Sequence, residues 1–182
     1  MTFLISGLAL WVLAHLFKRL APGPRERLGD AGKGVVALGI LAGLVLMVIG
    51  YRRADTEFLY ALPEWARHVN NLLMYGAVVL FGMGSSKGRM RSWLRHPMLT
   101  GVIVWAVAHL LVNGDTASLV LFGGLAIWAV VEILVINAKA DPWQRPEPGS
   151  ASRDIRLLII AAVLYVVIAA IHSWLGYWPF PG

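Results

Sequence analysis

The chain has 182 residues, 58% of them hydrophobic and 14% charged, where soluble domains average about 45–50% and about 25%. That excludes an ordinary soluble domain, a disordered chain and a coiled coil, and the absence of cysteine removes disulfides, thiolate metal sites and cysteine nucleophiles. The formal charge of +6 and isoelectric point near 10.1 would suggest nucleic acid in a soluble chain; here the basic residues flank long apolar runs and read as membrane-topology signals, with no nucleic-acid partner.

A helix that crosses the hydrocarbon of a lipid bilayer takes about 20 mostly apolar residues, or about 17 in a tilted bundle. Six segments qualify: Thr2 to Leu20, Gly34 to Tyr51, Trp65 to Gly84, Met98 to Asn113, Thr116 to Ala138 and Ile155 to Leu175. The fold class is therefore an all-α polytopic membrane bundle, a single domain over residues 1–182. Asn113-Gly114-Asp115 reads as a tight turn, since these residues accept turn dihedrals, and makes the fourth and fifth spans a helical hairpin. Lys139 to Asp154, with Pro142, Pro146, Pro148 and Gly149, is a flexible connector. No internal repeat stands out.

Cytoplasmic loops keep the positive charge. Lys18, Arg19, Arg25, Arg27, Lys33, Lys87, Arg89, Arg91, Arg95, Lys139, Arg145, Arg153 and Arg156 fall on one side, and Arg52, Arg53 and Arg67 on the other. The split places the first side in the cytoplasm and both termini outside it. Met1-Thr2-Phe3 brings no basic residue ahead of the first apolar run, unlike a cleavable signal peptide, so the first helix is expected to be retained. Gly39 and Gly43 form a Gly-x-x-x-Gly pair that allows close helix approach, within the bundle or in a homodimer. Trp174 and Gly176-Tyr177-Trp178-Pro179-Phe180 read as an aromatic belt at the outer interface.

An ionisable group in hydrocarbon costs several kcal/mol unless it is paired or faces a cavity, so such groups are site candidates. They are His15, His109, Glu132 and His172, with His68, Asn70 and Asn71 near outer helix ends. At 1.5 Å per residue, His15 and Glu132 each lie about 7 Å from mid-span toward the cytoplasm, so they could meet. The same arithmetic puts His109 about 5 Å, His172 about 9 Å and His68 about 12 Å toward the outer face, where they could cluster. His15 with Glu132 reads as a hydrogen-bonded pair tying helix one to helix five, or as a ligating or proton-carrying imidazole that Glu132 orients; His68 and His172 lie close enough to the interface to meet water, whereas His109, on an apolar helix, must find a partner. Arg95-His96-Pro97 reads as a helix start with Pro in the first turn, or as an anionic-ligand site where free amides and basic side chains converge.

The run Arg95-His96-Pro97-Met98-Leu99-Thr100-Gly101, then Trp105 to Leu111, Asn113-Gly114-Asp115 and Leu121-Phe122-Gly123 closely resembles the core of the NnrU family, and His15 resembles that family's N-terminal histidine. The resemblance covers nearly the whole chain. It implies an integral bacterial inner-membrane protein, associated in some members with denitrification and nitric oxide metabolism and so with respiratory or denitrification complexes as partners. The family is related to zeta-carotene isomerase, which holds haem b through histidines. By that resemblance His15 and His109 are the axial metal ligands, with His172 or His68 as replacements for His15. Ala106 stands where that enzyme has a cysteine, so its cysteine-linked ligand switch is not available here. Arg-His-Pro followed by Gly101 also resembles isoprenylcysteine carboxyl methyltransferases, which implies an S-adenosylmethionine site at Arg95 and His96. A ligand-free assembly factor for respiratory complexes is a third reading.

Overall fold

The computed structural model describes residues 1–180, all of whose regular elements are helical. The helices are α1 (Thr2–Leu20), α2 (Pro22–Arg27), α3 (Ala31–Arg52), α4 (Trp65–Met83), α5 (Pro97–Leu110), α6 (Thr116–Lys139) and α7 (Ala151–Trp174). Pro22 and Pro97 each start a helix at a position where a missing N–H costs nothing. Residues Leu119–Gly123 inside α6 form a π turn, a rare local widening that recurs at functional sites.

Helices α1, α3, α6 and α7 are long and apolar enough to cross a membrane, so the chain is a membrane protein. The other two expected spans form helices of a different character. α4 carries Arg67, His68, Asn70 and Asn71 in its first turns, and α5 has 14 residues, about 21 Å at 1.5 Å each against about 30 Å of hydrocarbon.

Two compact units result, one from residues 1–60 and 113–140, the other from residues 61–112 and 141 onward. The two helices joined by the Asn113-Gly114-Asp115 turn fall in different units, α5 with α4 and α6 with α1. The turn between them still has the chemistry its residues dictate. Asp115 accepts from Ser118 N at 2.9 Å and from Ser118 Oγ at 2.6 Å, capping α6. The Tyr51 hydroxyl continues that cluster, lying 2.9 Å from Ser118 Oγ. The Gly114 carbonyl accepts from Leu59 N at 2.7 Å and Tyr60 N at 3.1 Å, and a Cβ at Gly114 would collide with the Tyr60 carbonyl.

In the first unit α1 and α3 pack backbone to backbone. A Cβ on Gly43 would lie 3.0 Å from both the Gly7 carbonyl oxygen and Trp11 N, and one on Gly39 would lie 3.3 Å from Ala14 Cβ. The Gly39 and Gly43 face, expected to serve the bundle or a homodimer, is therefore used inside the chain. Small residues suit this contact because lipid tails compete with any larger apolar side chain, and close van der Waals packing is what remains to favour association.

The second unit builds its core from Val78, Val79, Met83, Leu157 and Ala161, with Tyr75, Leu80, Met90 and Ile168 around them. Asp154, at the start of α7, accepts from Arg89 N at 3.0 Å and Met90 N at 3.1 Å, holding the loop before α5. Asn70 Nδ2 donates to the Ala108 carbonyl at 2.8 Å in a buried contact between α4 and α5. Asn70→Ala is expected to destabilise the protein by about 1–2 kcal/mol, the range for interhelical hydrogen bonds in membranes. Reversible unfolding in mixed micelles measures it, and a variant as stable as the native protein would remove this bond from the account.

Candidate functional site

Three histidines inside helices share one local arrangement. In each, Nδ1 contacts the carbonyl oxygen four residues earlier: His15 to Trp11 at 2.9 Å, His109 to Trp105 at 2.9 Å and His172 to Ile168 at 2.8 Å. A carbonyl only accepts, so Nδ1–H donates in all three, and the lone pair of each neutral ring sits on Nε2. That is the tautomer in which a histidine ligates a metal through Nε2 while its other nitrogen is held by a fixed acceptor. His15 and His109 also lie against the tryptophan one turn back, with ring centroids 4.4 Å and 4.8 Å apart. The shared pattern is written in the chain as Trp11-Val-Leu-Ala-His15-Leu16 and Trp105-Ala-Val-Ala-His109-Leu110. This repeated hexapeptide was the missed signal, because its two copies lie far apart and have no flanking similarity.

His109 and His172 line a single cavity of about 520 Å³ in the second unit, within the 300–1,000 Å³ range of small-molecule and cofactor sites. Its other walls are apolar side chains: Met74, Val78 and Phe81 of α4, Trp105 of α5, and Leu157, Ile160, Ala161, Leu164 and Ile168 of α7. Along α7 the lining runs from Leu157 to His172, about 22 Å at the helical rise, with the imidazoles gathered at one end. His68, expected near this pair, is exposed on α4 and is not among the lining residues. Asn71 is half-buried beside it, and Asn70 is committed to Ala108.

In the first unit His15 and Glu132 come into one seam between α1 and α6, but they are not hydrogen-bonded to each other as expected. Glu132 Oε1 instead accepts from Arg19 Nε at 3.1 Å. Arg19 is one helical turn beyond His15, and a charged donor binds a carboxylate more strongly than a neutral imidazole does. The Glu132 side chain is 9% exposed and that of Arg19 33%, while Lys139 Nζ donates to the Arg19 carbonyl. The His15 ring is held by two indoles, with Trp11 at 4.4 Å and Trp128 at 4.7 Å between centroids.

Arg95 and His96 flank an open recess of about 500 Å³ with Gly84, Ser85, Pro97, Met98 and Leu99. Arg95 Nη2 donates to the Asp141 carbonyl at 2.7 Å, and the His96 carbonyl accepts from Thr100 N and Thr100 Oγ1, both at 2.9 Å. His96 thus acts as the residue that leads into α5. Among the described residues no group of three or more His, Asp and Glu side chains could hold a metal ion.

Comparison with curated proteins and with solved structures finds no match. The NnrU protein family matches over residues 3–179, nearly the whole chain. The Arg-His-Pro start of α5, the Trp105 and His109 pair, the capped Asn-Gly-Asp turn and the π turn at Leu121-Phe122-Gly123 all fall within the match, and the chain belongs to the NnrU family.

Proposed function

We propose that the protein binds haem b in its second unit, with His109 and His172 as the axial ligands, and that it supports denitrification or nitric oxide metabolism in the bacterial inner membrane. One observation carries the ligand assignment: both imidazoles line the same apolar cavity. Their shared tautomer adds support, because in each ring Nδ1 is committed to its own helix and the lone pair is on Nε2, the nitrogen through which a histidine so held would ligate. Apolar walls suit a porphyrin and exclude water from it. His172 takes the place that the resemblance gives to His15, since His172 shares the cavity with His109 while His15 belongs to the other unit. Held by two imidazoles, a haem supplies one-electron transfer. The metabolic role rests on the family resemblance.

The test is the visible spectrum of protein purified from cells supplied with a haem precursor. A Soret band that shifts on dithionite reduction is expected, and a colourless, folded preparation would defeat the reading. With both axial positions filled by protein, carbon monoxide should bind the reduced form weakly. Rapid and complete formation of a carbon monoxide complex would show an open position and remove one of the two histidines from the assignment.

The same proposal includes six crossings with both termini outside the cytoplasm, which the distribution of thirteen basic residues against three supports. In this arrangement α4 and α5 complete the crossing count, with the bilayer thinned around the short α5. Alkaline phosphatase fused to the C-terminus should be active and a fluorescent protein there dark; the opposite result would invert the topology. The recess at Arg95 and His96 supports a second reading, an S-adenosylmethionine site at the start of α5. Calorimetry on detergent-purified protein decides it, and no heat at millimolar ligand would end it.

A further inference from the structure

The seam between α1 and α6 holds three polar atoms with no hydrogen-bond partner among the protein atoms, all of them buried: Trp11 Nε1, Trp128 Nε1 and Glu132 Oε2. Glu132 is 7% exposed and Trp128 5%. Buried polar groups in folded proteins are nearly always satisfied, and inside a membrane the cost of leaving one unsatisfied is paid without help from solvent. The four side chains concerned are neighbours. Trp11 and His15 are one turn apart on α1, Trp128 and Glu132 one turn apart on α6, and the Trp11 and Trp128 rings meet edge to face at 5.5 Å.

From this cluster we infer that the seam is a binding site for one neutral, water-sized hydroxylic molecule, water itself being the smallest. The chemistry of the unpaired atoms sets the class. Two indole N–H groups can only donate, whereas the Glu132 carboxylate oxygen Oε2 accepts. A metal cation would face two N–H donors. An anion would face the carboxylate. A water molecule offers two acceptor lone pairs for the two indoles and an O–H donor for the carboxylate, three bonds in all, and a buried water typically makes two to four. The Trp11, His15 and Trp128 rings pack on one another, with centroids 4.4, 4.7 and 5.5 Å apart, which favours a small molecule.

The site reaches bulk solvent at the Arg19 end, where the guanidinium is one-third exposed and bonded to the other oxygen of Glu132. From Arg19 to Trp11 the seam runs about 12 Å along α1 at the helical rise. The bound molecule therefore occupies Glu132 Oε2, and any ligand approaching that oxygen through the seam must displace it. This inference stands on the first unit alone and holds whether or not the second unit binds haem.

Nitrogen-15 labelling of tryptophan in the full-length protein, in nanodiscs, provides the test. The two indole signals are identified by their disappearance in Trp11→Phe and Trp128→Phe. Both should sit in the hydrogen-bonded range and show magnetisation exchange with water, and Glu132→Leu should abolish that exchange at both while the remaining indole signals stay in place. Absence of exchange at both indoles of the native protein, with their shifts in the range of free N–H groups, would overturn the proposal. So would exchange that persists unchanged in Glu132→Leu, since the carboxylate would then be no part of the site. Should Glu132→Leu fail to fold, Glu132→Gln provides the second measurement: its side chain keeps an acceptor and should retain exchange at both indoles, and loss at both would count as refutation.

Discussion

His109→Ala is expected to yield a folded protein without the Soret band of the native form, whereas His15→Ala keeps the native spectrum. The reason is location. His109 and His172 line one cavity of about 520 Å³, and no other histidine lines it. Removing one of two imidazoles from an apolar cavity leaves a weaker, single attachment, so His172→Ala should retain part of the colour and gain strong carbon monoxide binding when reduced. The loss on His109→Ala should be near complete, because His109 packs against Trp105, a second residue of the same cavity lining, with ring centroids 4.8 Å apart. Folding is checked independently by tryptophan fluorescence during thermal unfolding. A His109→Ala protein with an unaltered Soret band would exclude His109 as a ligand. The reverse pattern, colour lost in His15→Ala and kept in His172→Ala, would restore His15 as the second ligand.

The variant set separates cofactor binding from structural roles because the histidines are alike locally and differ only in what surrounds them. Each donates Nδ1–H to the carbonyl one turn back, so each alanine substitution removes the same intrahelical bond. Any difference among the three spectra then reports the surroundings: a shared cavity for His109 and His172, and a two-indole clamp for His15.

Much of the secondary structure is legible in the chain because punctuation is strong. The apolar run that begins at Thr2 stops at Leu20 just past Lys18 and Arg19, the turn at Asn113-Gly114-Asp115 is set by glycine and a capping carboxylate, and Pro97 opens α5. Which helices pair is a different matter. In water an apolar stripe marks the face turned to the core, but in lipid both faces of a helix are apolar, so periodicity loses its meaning. α6 follows α5 in sequence and packs on α1. The partner of Glu132 was missed for a related reason. Counting residues gives depth along the membrane normal and says nothing of the direction in which a side chain points, and Arg19 lies only one turn from His15 on the same face of α1. Depth alone did place His109 and His172 near one level, and the cavity contains both. It placed His68 there too, although His68 points away from the core and is exposed.

The glycine contact between α1 and α3 carries the largest stability effect. Gly43→Leu is expected to lower the unfolding temperature by about 10 °C, while Gly34→Leu, on the same helix, leaves it unchanged. Gly34 has nothing within 4 Å of a Cβ placed on it. At Gly43 the obstacles are the Gly7 carbonyl oxygen and Trp11 N, each 3.0 Å from such a Cβ, and both are backbone atoms of a helix that cannot rotate aside. A leucine there must push two helix backbones apart, and the cost falls at the upper end of the overpacking range, about 3 kcal/mol. For a chain of this size that corresponds to a shift of about 6–12 °C. Gly43→Ala should fall between the two, because a single methyl needs only a few tenths of an ångström. Trp11 ties this contact to the polar seam, since moving the α1 backbone at residue 11 also moves the ring that packs on His15 and Trp128. Gly43→Leu should therefore perturb the Trp11 and Trp128 indole signals together. If it instead left stability intact and turned a dimer into a monomer, as read by light scattering, Gly43 would lie at an interface between chains and the α1–α3 packing would be wrong.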